Sequence, residues 1–272
     1  MSGTARGWAV VLGASSGTGA SVGRALARDP GLHVYGVHRG NHPAGAAALA
    51  DAVRAEGRQC LLDVADAAPP ETADALCLSL RERIGPRGVR FFVHSIANAS
   101  VSRLAIDRPV HPKQVQKTFD SMAHSFLWWS QALLRHELLA PGARLLALSN
   151  PMVGQVLRGT AVIAASKAAL AVYVRHLAAE LGPLGYRVNT LTFGAVMTHA
   201  LRTTIGRDDA PRFQATVARA VPARRLADVD EVARVVSFLA GDAAEFFNGA
   251  DIDFTGGETS ALLDRLVFPE DD

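Results

Sequence analysis

The chain has 272 residues, of which 49% are hydrophobic and 20% are charged, and its formal net charge is +2 at pH 7. This size and composition predict one domain with a well-buried core, and the scattered basic residues argue against a nucleic-acid surface. Cys60 and Cys77 have neither a CxxC nor a metal-binding spacing. No stretch is typical of a signal peptide or of a membrane span of about 18 apolar residues. We therefore expect a soluble, cytoplasmic protein that binds no metal, nucleic acid or membrane.

Predicted strands and helices alternate along the whole chain. Short apolar segments predict buried strands at 8–14, 33–39, 59–64, 89–96, 144–149, 187–194 and near 250–256. Helices are predicted between them, at 21–28, 47–57, 73–85, 114–138, 160–182 and 228–241. Apolar strands separated by helices are typical of a parallel sheet that is covered on both faces. The sequence thus predicts a Rossmann-type, doubly wound α/β sheet of about seven strands, forming a single domain over residues 1–272.

A glycine-rich turn, GASSGTG, connects the first strand to its helix. Gly13, Gly17 and Gly19 would let the backbone approach a pyrophosphate group, whose charge would lie at the free N–H groups of the helix N-terminus. The alternative is an ordinary tight turn. Asp63 at the end of the third strand and HSIANA after the fourth favour the dinucleotide interpretation, because both fall at the same edge of the sheet.

The order of these motifs resembles the short-chain dehydrogenase/reductase family. The glycine turn, Asp63-Val64, Ser149, Lys167 and the closing RVNTLTFGAVMT carry the resemblance, which covers nearly the whole chain. FVHSIANA, PGARLLALSN, VPARRLADVDEVARVVSFLA and ADIDFTGG are similar to the enoyl-acyl-carrier-protein reductase branch of that family. The glycine spacing departs from this branch and follows the wider family.

The resemblance implies a nicotinamide dinucleotide cofactor. It assigns the glycine turn to the pyrophosphate, Asp63 and Val64 to the adenine, and Lys167 to the ribose hydroxyls. The segment after the fourth strand would lie under the ribose and nicotinamide, and the segment after the sixth would receive the carboxamide. The matching positions are Gly13, Ser16, Gly17, Thr18, Gly19, Asp63, Val64, Ser95, Ile96, Ala97, Lys167, Gly194, Val196 and Thr198.

The second strand ends in His38-Arg39, and this pair favours NADPH over NADH. An NAD enzyme places a carboxylate there to accept hydrogen bonds from the ribose hydroxyls. No carboxylate is present to repel a 2′-phosphate, and Arg39 can form charge-assisted hydrogen bonds with one. The alternative is that Arg39 is an ordinary solvated arginine.

The tyrosine that the family uses as its acid is missing. The wider family places it four residues before the lysine, where this chain has Ile163, and the enoyl reductase branch places it seven before, at Thr160. A further tyrosine of that branch would follow Ser149, where Asn150 stands. The chain's tyrosines are Tyr35, Tyr173 and Tyr186. Tyr173 follows Lys167 on the same helix but off its face, so we expect it in the core.

Enoyl-thioester reduction tolerates this loss better than ketone reduction does. A ketone oxygen must be protonated as hydride arrives, whereas a thioenolate can be stabilised by hydrogen-bond donors that transfer no proton. Candidate catalytic residues are therefore Lys167, with an ordinary pKa near 10.4, and the donors Ser149, Asn150 and Thr160. Asn150 is also interpretable as a turn residue and Thr160 as a helix cap.

The segment at about 196–225 would cover the substrate, as the resemblance implies. Its apolar residues would contact an acyl group, and its arginines would bind phosphates of coenzyme A or of a carrier-protein pantetheine unless they are merely solvated. These residues are Ala200, Leu201, Phe213, Val217, Arg202, Arg207 and Arg212. The predicted function is NADPH-dependent reduction of an enoyl thioester, with an alicyclic or polyketide-type acyl group, by a homotetramer. A keto-reductase, a non-redox cyclase or isomerase, and a non-catalytic NADPH-binding protein remain alternatives.

Overall fold

One parallel sheet of seven strands organises the computed structural model, which describes residues 7–198, 201–202 and 209–259. The strands are β1 (Trp8–Leu12), β2 (His33–His38), β3 (Cys60–Val64), β4 (Val89–His94), β5 (Leu139–Ser149), β6 (Arg187–Phe193) and β7 (Asp251–Phe254). Their order in the sheet is β3-β2-β1-β4-β5-β6-β7. The doubly wound α/β fold predicted from the sequence is confirmed.

Helices cover both faces of the sheet. They are α1 (Gly17–Arg28), α2 (Pro43–Ala55), α3 (Pro70–Ile84), α4 (Pro112–Phe119), α5 (Ser125–Arg135), α6 (Ala161–Leu181), α7 (Ala210–Ala220) and α8 (Val229–Ala240). On one face α1 packs against α2 and α8, and on the other α3 packs against α5. Successive residues of β1 alternate between the two cores, with Val10 and Leu12 in one and Ala9 and Val11 in the other. This two-sided burial explains why the strands are continuously apolar.

The strand order reverses between β1 and β4, which are neighbours although β2 and β3 lie between them in sequence. The connections from β1 and β4 therefore leave the sheet in opposite directions. A crevice opens between them at the carboxyl ends of the strands, where doubly wound sheets bind their ligands. The glycine turn and the HSIANA segment both begin at this point.

Two regions differ from the predicted elements. The helix predicted over 114–138 is divided, because α4 passes into a π-helical turn (Asp120–His124) before α5 begins. The segment predicted to cover the substrate contains α7, which the sequence analysis did not identify. Ala200 and Arg207 of that segment lie outside the described residues.

Helix α6 is more apolar than a surface helix. Together with the following turn, Ala161–Leu184 is long and apolar enough to cross a membrane by length and composition alone. The sequence criterion of an uninterrupted apolar stretch did not single it out, because Lys167 and Arg175 interrupt the run. Leu170 and Val174 are buried in the core under α6. Burial against the sheet therefore accounts for part of the composition of this helix, of which 39% is buried over its most apolar stretch.

Candidate functional site

A cleft of about 540 Å³ lies at the carboxyl edge of the sheet, over the point where the strand order reverses. The loops after all of the strands from β1 to β6 supply its walls, together with the π-helical turn and α6. Most of the residues predicted for the site line it. These are Gly13, Ser16, Gly17, Thr18, Gly19, His38, Arg39, Ser95, Ile96, Ala97, Ser149, Asn150, Lys167, Gly194, Val196 and Thr198.

The glycine turn is closely packed and positively polarised. A Cβ atom on Gly13 would lie 2.3 Å from the Ser95 carbonyl oxygen, and one on Gly19 would lie 2.2 Å from the Gly13 carbonyl oxygen. Side chains are therefore sterically excluded at both positions. The Ser16 side chain precedes α1 without capping it, and the first turn of α1 carries no acidic residue. The N–H groups of that turn are thus suited to a phosphate group.

Asp63 does not line the cleft, and its predicted contact with adenine stays a prediction. Its carboxylate accepts hydrogen bonds from the Tyr35 hydroxyl at 2.7 Å and from the Arg83 guanidinium at 3.1 Å. The side chain points toward α3, which supplies Arg83, so both oxygens are bound on that face of the sheet. Val64 is 69% exposed and does not line the cleft either.

Asp66 is a second acidic residue at the end of β3, which the sequence analysis did not single out. It lines the cleft together with Ala65 and Ala67, just beyond the end of β3. One of its carboxylate oxygens accepts a hydrogen bond from the Ala68 N–H at 3.1 Å. This bond fixes the carboxylate and leaves its second oxygen as an acceptor for a ligand. The sequence signal was present, because Asp66 follows Asp63 closely, but the choice between them depended on side-chain direction.

The loop after β2 supplies nitrogen groups to the cleft, next to the end of β3. His38 is only 7% exposed, and its Nδ1 accepts a hydrogen bond from the Gly40 N–H at 3.1 Å. Burial lowers the pKa of His38, so the ring is neutral and Nε2 carries its hydrogen. Arg39 is exposed and lines the cleft, as do Asn41 and His42, which the sequence analysis missed. Asn41 and His42 could have been predicted from the sequence because they lie between Arg39 and the first residue of α2.

Asn150 lines the cleft, and it is also a turn residue, which was the alternative interpretation of its position. It precedes the short helical turn Pro151–Val153, and its side-chain oxygen accepts a hydrogen bond from the Met152 N–H at 3.2 Å. This contact identifies the oxygen end of the amide and makes the NH₂ group the end that can donate to a ligand. Ser149, the last residue of β5, lines the cleft beside it.

Thr160 does not line the cleft, so the geometry does not support its predicted catalytic role. Its hydroxyl donates a hydrogen bond to the Leu157 carbonyl oxygen at 2.9 Å, within the loop that precedes α6. It occupies the capping position of α6 without a capping hydrogen bond from its side chain. The loop turns the hydroxyl toward its own backbone.

No tyrosine lines the cleft within the described part of the chain. The Tyr173 hydroxyl is hydrogen-bonded to His124 Nδ1 at 3.1 Å, and its ring packs against the core. Tyr35 is bound to Asp63, and Tyr186 packs against the same core. Ile163 stands where the phenol of the wider family would be, and it cannot supply a proton.

Lys167 is the buried cation of the site. It is 3% exposed, and its Nζ donates a hydrogen bond to the Leu148 carbonyl oxygen at 2.7 Å. Burial lowers the pKa of Lys167 to about 7, well below the ordinary value expected from sequence. The amine therefore changes its charge near neutral pH.

The π-helical turn contributes two further residues that sequence periodicity did not indicate. Ser121 and Met122 line the cleft, and the Asn98 side chain donates a hydrogen bond to the Ser121 hydroxyl at 3.0 Å. A π-helical turn displaces the following residues around the helix axis, and such turns are frequent at functional sites. The helical pattern of 114–138 concealed it.

Comparisons with known proteins identify relatives along almost the whole chain. Residues 13–259 match the profile of a family described as enoyl-(acyl carrier protein) reductase. An uncharacterized oxidoreductase of Methylorubrum extorquens is 30% identical, with 92% of this chain and 96% of that protein covered. A 1-cyclohexenylcarbonyl-CoA reductase of Streptomyces collinus is 27% identical, covering 91% and 85%. A 3-oxoacyl-[acyl-carrier-protein] reductase of Escherichia coli is also 27% identical, covering 92% and 96%.

Solved structures share the fold. L-sorbose reductase from Gluconobacter frateurii, in complex with NADPH and L-sorbose, superposes with a TM-score of 0.85 at 22% identity, covering 95% of this chain and 98% of that one. An NADPH-bound short-chain oxidoreductase from Pseudomonas aeruginosa, described as containing an atypical catalytic center, has a TM-score of 0.80 at 24% identity, covering 92% and 96%.

Replacing Lys167 by methionine should stabilise the protein at low pH. The folded pKa of about 7 lies below the value near 10.4 in an unfolded chain, so the folded state binds fewer protons between those two pH values. Stability should therefore rise with pH across that window, and the full cost of burying the ammonium applies below it. We expect Lys167→Met to raise Tm by at least about 3 °C at pH 6, with a smaller gain at pH 9.5.

Thermal denaturation of the two proteins at both pH values measures this effect. Lys117→Met is the matched control, because Lys117 is exposed on α4 and its removal should change Tm by about 1 °C or less. A lower Tm for Lys167→Met than for the unmutated protein at pH 6 would contradict the cost assigned to the buried amine.

Proposed function

Because the chain belongs to the short-chain dehydrogenase/reductase family, we propose that it uses NADPH to reduce the carbon–carbon double bond of an enoyl thioester. One observation carries this proposal. Within the described residues no phenol lines the cleft, whereas the NH₂ group of Asn150 and the amine of Lys167 are positioned there. These are groups for stabilising negative charge rather than for transferring a proton from a phenol.

The cleft has the features that NADPH requires. The pyrophosphate would lie on the N–H groups of α1 over the close-packed glycine turn, and Asp66 would accept a hydrogen bond from the adenine amino group. The segment from Ser95 to Ala97 and the backbone from Gly194 to Thr198 would surround the nicotinamide. When bound, the reduced nicotinamide supplies a hydride. The family's NADPH-bound structures share this fold and support the assignment.

The 2′-phosphate would lie at the end of β2. Arg39 provides a charge there, His38 provides a neutral Nε2–H donor, and Asn41 provides an amide. Asp66 at the end of β3 is the one carboxylate that lines the cleft within the described residues, and none lies in the β2 loop itself. This set of donors favours a phosphate over a pair of ribose hydroxyls, which require an acceptor.

Reduction of the double bond requires stabilisation of a thioenolate. As hydride reaches the β-carbon, the π electrons of the double bond move toward the carbonyl oxygen, where the Asn150 NH₂ group donates a hydrogen bond. The positive charge of protonated Lys167, which also holds the ribose hydroxyls, lowers the energy of this anion. The enolate then takes a proton from water at its α-carbon. The saturated thioester and oxidised cofactor are the products.

Exposed apolar side chains at the carboxyl edge support an acyl substrate. The loop after β4 exposes about half or more of three apolar side chains, those of Val101, Leu104 and Ile106. The loop after β5 exposes three more, those of Val153, Val156 and Leu157. The two loops are joined by a hydrogen bond from the Ser102 N–H to the Gly159 carbonyl oxygen at 3.1 Å. Leu201 adds an apolar contact inside the cleft.

The relatives favour two substrate classes. The Streptomyces collinus enzyme is named for an alicyclic enoyl-coenzyme A, and an acyl group of that kind would suit these apolar loops. The Escherichia coli enzyme is named for a 3-oxoacyl carrier protein, so ketone reduction is the second candidate function. The missing phenol favours the first. We also propose a cytoplasmic homotetramer, following the family resemblance.

NADPH should bind at least about tenfold more tightly than NADH. Loss of a charge-assisted hydrogen bond costs about 1.5 to 3 kcal/mol, and about 1.4 kcal/mol corresponds to tenfold in affinity. Arg39→Ala should therefore remove most of the preference. Fluorescence titration of both cofactors measures it, and equal affinities for the unmutated protein would refute the proposed phosphate site.

Alanine substitutions of Asp66 and Asp63 should affect different properties, the first NADPH affinity and the second thermal stability. Asp66→Ala should weaken NADPH binding about two- to tenfold, the effect of one hydrogen bond, and should leave Tm nearly unchanged. Asp63→Ala should instead lower Tm, because the Tyr35 hydroxyl and Arg83 would lose their partner, and should leave NADPH affinity nearly unchanged. The reverse pattern would restore Asp63 to the adenine site.

Asn150→Ala should lower the rate of enoyl-thioester reduction about 10²-fold, as removal of one oxyanion donor does. Tyr173→Phe is the control, because its hydroxyl is bound to His124 outside the cleft, and its rate should stay within a few-fold. The rates are measured as NADPH oxidation with a 2-enoyl-coenzyme A. An inactive Tyr173→Phe beside an active Asn150→Ala would show that a phenol acts after all.

A further inference from the structure

A chain of hydrogen bonds is buried beneath Lys167. His94 at the end of β4 is 0% exposed, and its Nε2 lies 2.7 Å from the Ser125 hydroxyl oxygen. That hydroxyl donates in turn to the Ser121 carbonyl oxygen, at 2.8 Å, in the π-helical turn. A serine hydroxyl has one hydrogen, and here the carbonyl takes it, so Nε2 of the histidine must be the donor to Ser125. Ser125 thus fixes His94 in the tautomer whose Nδ1 carries no hydrogen.

The bare Nδ1 is a buried acceptor that lacks a partner within the described residues. Burial first, and the Lys167 charge second, lower the pKa of His94 to about 3, so the ring stays neutral at every pH used below. An unpaired buried acceptor is costly, and few native structures retain one without a reason.

Lys167 is the complementary group. His94 pairs with Ala147 across the sheet, and the Lys167 Nζ binds the carbonyl oxygen of Leu148, the next residue along β5. A protonated lysine has three N–H donors, and Leu148 satisfies one of them. The remaining donors can be shared between a ligand in the cleft and an acceptor in the protein interior.

We propose that His94, held in its tautomer by Ser125, is a positioning residue that keeps Lys167 charged by accepting a hydrogen bond from it through one bridging water. The role rests on the proposed function, in which charged Lys167 binds the NADPH ribose. It explains how an ammonium can persist in an apolar helix without a carboxylate partner. Tyr173 on α6 and His124 in the π-helical turn bind each other, and Asp120 of that turn accepts a hydrogen bond from Gln116. Arg175, His176 and Glu180 of α6 are exposed.

The pH dependence of NADPH affinity reports the charge on Lys167 without any substrate. Affinity should fall as pH rises through the Lys167 pKa, because the neutral amine loses its attraction for the ribose hydroxyls and the phosphates. Removing the Nδ1 acceptor disfavours the ammonium, and the inflection should then move to lower pH. Titration of the cofactor's own phosphate is common to all variants and cancels in the comparison.

The test compares two serines of α5 that make the same local contact. Ser125 and Ser130 are both buried, and each donates its hydroxyl to a carbonyl oxygen one turn earlier, at 2.8 and 2.7 Å. Of the two, only Ser125 also lies within hydrogen-bond distance of His94. Ser125→Ala frees the ring to place its hydrogen on Nδ1, where it could no longer accept a hydrogen bond. We expect this variant and His94→Phe to lower the inflection by about one pH unit, the size of one hydrogen bond to a charged group.

Ser130→Ala should leave the inflection in place, and Lys167→Met should abolish it. If the inflection is present but does not move in folded Ser125→Ala, the role of His94 is refuted while the cofactor anchor stands. If the unmutated protein shows no inflection that depends on Lys167, the anchor fails, and this proposal fails with it.

A second measurement needs no cofactor and covers the case in which His94→Phe does not fold. Nitrogen-15 NMR of the histidine rings, with His94 assigned by its changed signals in Ser125→Ala, should show the Nε2–H tautomer from pH 6 to 9. A His94 ring protonated on Nδ1 in the unmutated protein would overturn the proposal.

Discussion

Burial of the Lys167 amine is the constraint on which the rest of the site depends. An ammonium group in an apolar helix costs several kcal/mol unless hydrogen bonds compensate it. The Leu148 carbonyl provides one, and His94 is suited to provide another. The remaining N–H donor of Lys167 is available to an anionic dinucleotide in the cleft, so a bound ligand would supply the hydrogen bond that the protein does not. Such a residue reduces stability in exchange for function, as active-site groups commonly do.

The missing phenol and the buried lysine have a common consequence. Where a tyrosine acts as the acid, a neighbouring cation would serve mainly to lower its pKa. Here Ile163 stands at the position of the phenol, and in the proposed reaction the charge of Lys167 would act directly on the cofactor and on the developing thioenolate. Asn150 adds a donor that does not ionise, and its own oxygen is tied to the backbone at Met152. This arrangement is best suited to an anionic intermediate that need not be protonated as hydride arrives, such as a thioenolate.

The sequence predicted the strands, most of the helices and the positions that require glycine, but it did not predict the directions of side chains. The alternation of apolar strands and helices predicted the sheet, and the positions of Gly13 and Gly19 were predictable because no other residue fits where backbone approaches backbone. Sequence position alone does not show that Tyr35 and Arg83 bind Asp63, or that Asp66 lines the cleft and Asp63 does not. The π-helical turn was invisible because its residues follow a helical pattern, yet it brings Ser121 into the cleft. The pKa of Lys167 likewise depends on its burial, which only the fold determines.

The fate of the hydride tests the central claim most directly. The protein would be incubated with NADPH carrying deuterium at C4 of the nicotinamide, either with 1-cyclohexenylcarbonyl-coenzyme A or with a 3-oxoacyl thioester, and the products analysed by mass spectrometry and NMR. NADPH deuterated on either face of C4 would be used in separate reactions. We predict that one deuterium reaches the β-carbon of the enoyl substrate and that the α-carbon takes its hydrogen from water. Deuterium found only on the carbinol carbon of a reduced 3-oxoacyl thioester, with the enoyl thioester unchanged, would contradict the account.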